Sequence, residues 1–131
     1  MNMERKIYIN NDLDVVAARM QARELAKQMG FRTADQARIS LAASELAKVL
    51  SWNTDVPGEI MMSDTSQNGH LGLRVVCTVK LKYLAGADQS NQMSGLNRNL
   101  AGACQLVDES IVEEQDTKLA LVTLIKWLKH P

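Results

Sequence analysis

A chain of 131 residues fits one domain, 1–131, and a domain of that length can bury a core without disulfides or metal. Fifteen basic and fifteen acidic residues cancel, which argues against a dedicated nucleic-acid binder. The hydrophobic fraction is 46%, yet no apolar run approaches the ~18 residues of a membrane span. The opening MNMERKIYI lacks the apolar segment and small-residue cleavage site of a secretory signal, so a cytoplasmic protein is expected. Cys77 and Cys104 stand alone inside apolar patterns, without metal-ligand or redox-motif spacing. They read as buried free thiols, and no metal site is expected.

Lys6 to Asn10 alternates polar and apolar residues and predicts a short strand. Asn11 and Asp12 offer an N-cap to a helix over Asp12 to Met29, whose stripe is Val15, Ala18, Ala22, Leu25, Ala26 and Met29. Gly30 suits a left-handed C-cap, and Phe31 is placed to plug the junction with the next helix. That helix, Thr33 to Asn53, has the strongest pattern: Ile39, Ala42, Ala43, Leu46 and Leu50 form one apolar stripe. Thr33 and Gln36 have capping-box spacing. Glu45 and Val49, four apart, sit one above the other on the flank of the stripe.

Thr54 to Gly58 breaks regular structure, and Glu59 to Ser63 reads as a short strand. Asn68-Gly69 is the commonest tight hairpin signal. Leu71, Leu73, Val75, Cys77, Val79, Leu81 and Tyr83 then alternate with mostly polar residues, Val76 being the exception. Ala85 to Asn91 is a polar loop. Ser94 is a candidate cap for a helix with the stripe Leu96, Leu100, Ala103, Cys104 and Val107, ending near Asp108. Ser110 to Glu114 predicts a strand. Lys118 to Lys129 is apolar on both faces, and periodicity alone does not separate a strand from a helix there. A strand is favoured, because Ile111-Val112 would otherwise lack a neighbour. Helices grouped against a mixed, mostly antiparallel sheet make an α+β two-layer sandwich.

Three runs then carry a resemblance: GFRTADQARISLAASELAK (Gly30 to Lys48), LNRNLAGACQLVDESIVE (Leu96 to Glu113) and Lys126-Trp127. Together they resemble the bacterial anti-sigma-factor serine kinases and switch kinases of partner-switching systems, members of the histidine-kinase-like ATPase superfamily with the Bergerat fold. The resemblance implies a domain that binds Mg-ATP through three motifs. The first is Glu-x-x-x-Asn, with a general base and a Mg²⁺ ligand. Here the base position is Glu45, and the ligand position is Val49, which has no oxygen for a hard cation.

The second motif is Asp-x-Gly-x-Gly, which reads adenine and turns beneath it. Its positions are Val79, Leu81 and Tyr83. The third is a glycine lid that cradles phosphate at a helix N-terminus. Here it is Gly95-Leu96-Asn97-Arg98-Asn99-Leu100, with Asn97 and Asn99 replacing glycines. Asparagine tolerates positive φ, which leaves room for the turn to survive.

The damaged motifs together imply a pseudokinase that uses no cofactor and acts by competition between protein partners. The partner would be a STAS-domain antagonist, a phosphatase or a sigma factor. In the family the partner surface includes the first two helices, which makes Arg19, Arg23, Lys27 and Arg38 the candidate contacts. One alternative is an active serine kinase that uses Glu45 as base, with ATP and Mg²⁺. Another is a stand-alone subunit that contributes only dimerisation to a larger kinase-like complex; a homodimer is a further candidate assembly.

Overall fold

The computed structural model describes residues 3–52, 57–81, 92–116 and 118–129. Along the chain these form β1 (Glu4–Ile9), α1 (Asp12–Met29), α2 (Thr33–Ser51), β2 (Gly58–Gln67), β3 (His70–Lys80), α3 (Gln92–Leu106), β4 (Glu109–Glu114) and β5 (Leu119–Trp127). The sheet order is β1-β2-β3-β5-β4. Among the described residues every pairing is antiparallel, where a mostly antiparallel sheet with some mixed pairing was expected. The doubly apolar Lys118 to Lys129 segment is a strand, inserted between β3 and β4.

Local chemistry accounts for the helix ends. The Asn11 Oδ1 accepts from the backbone N–H groups of Leu13 (3.0 Å) and Asp14 (3.2 Å), satisfying donors that the first turn of α1 leaves open. At the other end Gly30 takes φ +95°. The N–H groups of Gly30 and Phe31 donate to the carbonyls of Lys27 (3.1 Å) and Ala26 (3.0 Å), the paired bonds of a Schellman cap. Phe31 is buried between the two helices, as expected.

The capping box at Thr33 does not form. Arg32 occupies the N-cap without a side-chain bond, and Thr33 is already the first helical residue. The Gln36 Nε2 instead donates back to the Phe31 carbonyl at 2.8 Å, so the Schellman turn sets the entry to α2. Asn68 (φ +53°) and Gly69 (φ +81°) form the two-residue turn of the β2–β3 hairpin, closed by the Gln67–His70 pair. That hairpin carries β2 through to Gln67, beyond the expected Ser63.

The helices lie on one face of the sheet, with α2 between α1 and α3. The core fills the space between the layers. The helices contribute Leu25, Ile39, Leu46, Leu50, Leu96 and Leu100, and the sheet contributes Ile9, Ile60, Met62, Val75, Val122 and Leu124. Cys77 is buried there, and burial pushes its thiol up to about 12; Cys104 is half-buried. Among the described residues no helix is long and apolar enough to cross a membrane.

Candidate functional site

The positions that the family pattern assigns to nucleotide chemistry lie on α2, β3 and α3. On α2 Glu45 is half-buried, and its carboxylate accepts from Lys48 Nζ at 3.2 Å, one turn along the same helix. With side chains 53% and 36% exposed, this is a surface ion pair. Four residues on, Val49 is buried in the core, only 4% exposed. An isopropyl group there has no lone pair for Mg²⁺.

β3 stays in register with β5 through Lys80, and the Leu81 N–H donates to the Lys118 carbonyl at 2.8 Å. Val79 (2% exposed) and Leu81 (1%) belong to the same core as Val49, Leu46 and Leu96. Burying each such side chain contributes about 1.5–3 kcal/mol relative to leaving it in water. Tyr83, the third position of this motif, lies outside the described residues.

The lid positions are helical, and the helix expected from Ser94 starts earlier. Gly95, Asn97 and Asn99 all lie inside α3, which includes Gln92 and so passes through Ser94 rather than starting there. Among the described residues Asn68 alone, of all non-glycines, has positive φ, so neither lid asparagine uses its tolerance of that conformation. Helical N–H groups at these positions are not splayed into a phosphate cradle. The side chains at the three motifs therefore do not fit Mg-ATP: aliphatic groups stand at the metal and adenine positions, and helix stands where the lid should open.

The motif pieces at the opposite end of α2 are joined directly. Asp108 and Glu109, at the α3–β4 junction, hold Lys126 and Trp127 at the end of β5. Asp108 Oδ2 accepts the Trp127 backbone N–H at 2.7 Å, and Lys126 Nζ donates to Asp108 Oδ1 at 3.1 Å. The Trp127 Nε1–H donates to Glu109 Oε2. Lys126 also lies 3.8 Å from Asp35 Oδ1 in the first turn of α2, and Asp35 in turn accepts from Arg38 Nη1 at 2.8 Å.

Lys126 is only 7% exposed because it continues the core-facing column Ala120, Val122, Leu124 of β5. Its stem is packed and its ammonium emerges at the rim. Burial pushes the Asp108 carboxyl up, but the Trp127 N–H, the Lys126 bond and the charges of Lys126 and Lys129 outweigh it, leaving the carboxyl below its usual range.

These bracing residues are also the ones on which the resemblance rests, and the relatives settle it. The chain is 31% identical to the serine/threonine-protein kinase RsbT of Bacillus subtilis over 134 residues, spanning 98% of this chain and all of that one. It belongs to the RsbT-type switch-kinase family of anti-sigma-factor serine kinases. The fold is also that of a chain in the crystal structure of the SiaB–SiaC complex from Pseudomonas aeruginosa. That chain matches with TM-score 0.50 and 11% identity, over 95% of this chain and 89% of that one. No family model matches the chain.

Among the described residues no element covers the outer side of α1. Arg19, Arg23 and Lys27 are exposed there, with no ion pair among the described residues, whereas Arg38 is tied to Asp35. Three residues that the sequence reading passed over stand beside them: Leu13 (79% exposed), Val16 (47%) and Met20 (66%). Their spacing of three and four is a second apolar stripe on α1, away from Val15, Ala18 and Ala22. That second periodicity was the available signal, masked by the stronger core stripe of the same helix.

Proposed function

We propose that this switch-kinase relative is a non-catalytic partner-switching regulator, controlled by competition between protein partners rather than by its own nucleotide. The observation that carries the proposal is the joint burial of Val49, Val79 and Leu81 in one core, at the positions where the family pattern puts a metal ligand and the adenine site. Phosphoryl transfer depends on metal electrostatics and positioning, and none of these three side chains supplies either. The partner is a STAS-domain antagonist, a phosphatase or a sigma factor. It docks on the exposed side of α1, where Leu13, Val16 and Met20 supply apolar area and Arg19, Arg23 and Lys27 favour an acidic rim.

Glu45 and the name of the Bacillus subtilis relative favour a second reading, an active serine kinase with a diverged pocket. Isothermal titration with Mg-ATP separates the two. The regulator gives no saturable heat, whereas a dissociation constant below ~100 µM, about 5.5 kcal/mol of binding, makes the kinase reading the better one.

A further inference from the structure

Trp127 belongs to one of the runs that carry the resemblance, yet nothing in the proposed regulator uses its side chain. The register places it directly opposite Gly72 of β3, on the face of the sheet away from the helices. A Cβ at residue 72 would stand 2.6 Å from the indole Cε3 and 3.0 Å from the Lys126 carbonyl oxygen, so only glycine lets the ring lie against β3 here. Hydrogen bonds then fix the residue at both ends. Its backbone N–H donates to Asp108 Oδ2 at 2.7 Å, and the indole Nε1–H donates to Glu109 Oε2. The chain beyond stays attached to β3, because the Leu128 N–H donates to the Leu71 carbonyl at 2.8 Å.

The pinned indole is half-buried and walls a cleft of about 630 Å³, with Gln67, Asn68 and His70 at the hairpin turn, Glu109 at the start of β4, and Leu128 and Lys129 after β5. That volume is within the range of ligand sites, and more than one side chain fills. The charges decide what it takes. Lys129 Nζ lies 3.7 Å from Asp108 Oδ1, so its charge already has a counterion. Among the described residues no cation pairs with Glu109, and accepting a bond from the indole leaves its carboxylate charge in place. The face of an indole is itself negative and attracts cations. The side-chain amides of Gln67 and Asn68 add acceptors at the mouth. A planar guanidinium matches this set: it stacks on the ring while its edge N–H groups point to the carboxylate and the amides, whereas a lysine ammonium has no flat face to stack.

We infer that this cleft receives an arginine side chain from an extended segment of a protein partner. The guanidinium stacks on Trp127, and the flanking peptide lies over Leu128 and the amides of the hairpin turn. Because Gly72 and Glu109 hold the ring before anything binds, stacking costs the protein no rotamer freedom. The cleft is on the opposite face of the sheet from α1, so it can fill while a partner sits on Leu13, Val16 and Met20. The inference stands whether or not the protein binds nucleotide.

Nuclear magnetic resonance of the full chain tests it, read at the indole N–H signals of Trp127 and of Trp52, the C-cap of α2, which serves as internal control. Acetyl-Gly-Arg-Gly-amide should move the Trp127 signal with a dissociation constant of roughly 1–10 mM and leave Trp52 unmoved. The citrulline peptide, of the same shape but uncharged, should bind about fivefold or more weakly. Arginine amide, which lacks the flanking residues, should bind about threefold or more weakly. Glu109→Gln keeps an acceptor for the indole N–H and removes the charge, and should weaken the arginine peptide about threefold or more. Trp127→Ala, followed by the His70 backbone amide, should abolish binding. Circular dichroism establishes that each variant is folded, and Glu109→Gln carries the test if Trp127→Ala is not. A Trp127 signal unmoved at about 50 mM peptide, equal binding of the citrulline peptide or of arginine amide, or wild-type affinity in Glu109→Gln overturns the inference.

Discussion

The two ends of α2 meet the sheet in opposite ways. At its N-terminal end Asp35 faces Lys126, which Asp108 also holds, and charge is kept at the rim of the core. Further along the same helix Val49 is buried in the same core as Val79 and Leu81. The first end is polar, and the second is apolar at the positions where the family pattern puts a metal ligand and the adenine site. The polar set connects elements: Asp108 and Glu109 tie the start of β4 to the end of β5, and Lys126 reaches α2. On the regulator reading the first set holds the fold together and the second adds to its core.

That contrast breaks most readily at Val79. Restoring the family's aspartate with Val79→Asp places an uncompensated carboxylate in the core and should cost about 4 kcal/mol or prevent folding, read as a shift of the urea midpoint. An open nucleotide pocket would tolerate the same change with less than about 1 kcal/mol lost.

At the other end Lys126→Ala should cost about 2–3 kcal/mol, because it deletes a packed stem and leaves two partly exposed carboxylates facing each other. The pH dependence sharpens this. Asp108 sits below its usual carboxylate range when folded, so its contribution is complete above the unfolded pKa of ~3.9 and is lost as pH falls through the lower folded value. Urea midpoints between about pH 6 and pH 2 should therefore fall with acid in the wild type, and less steeply in Lys126→Ala.

The smallest effect is expected at Glu45. Glu45→Gln removes an exposed pair with Lys48 and should change stability by less than about 0.5 kcal/mol. On the regulator reading it also leaves partner capture unchanged. If phosphorylated product forms with the wild type and vanishes with Glu45→Gln, the aliphatic end of α2 is a working site.

Much of the fold was legible because its signals are local. The Asn11 cap, the Gly30 turn, the Asn68-Gly69 hairpin and the stripes of α1 and α2 each depend on residues a few positions apart. The replaced site was legible in part. Val49 and Val79 are plain in the sequence, and the alternation that runs past Val79 already opposed a glycine loop. The Thr33 cap failed because the Schellman turn at Gly30 and Phe31 had already set the backbone at Arg32, and Gln36 found a nearer acceptor. At the lid positions a positive-φ tolerance in asparagine does not require positive φ, and helix continues through both residues.

By itself the sequence determined the order of the elements and the apolar identity of Val49, Val79 and Leu81, since these follow from residue type and short-range spacing; membership of the switch-kinase family rests on likeness to a known member. Only the tertiary structure decided that Asp108 and Glu109 close on Lys126 and Trp127, some eighteen residues away, and that Lys126 reaches Asp35 on α2. It also decided which side of the doubly apolar β5 is covered by helices and which is left open. Periodicity reports that a face is apolar. What covers that face depends on elements far away in the chain, brought there by sheet order and register.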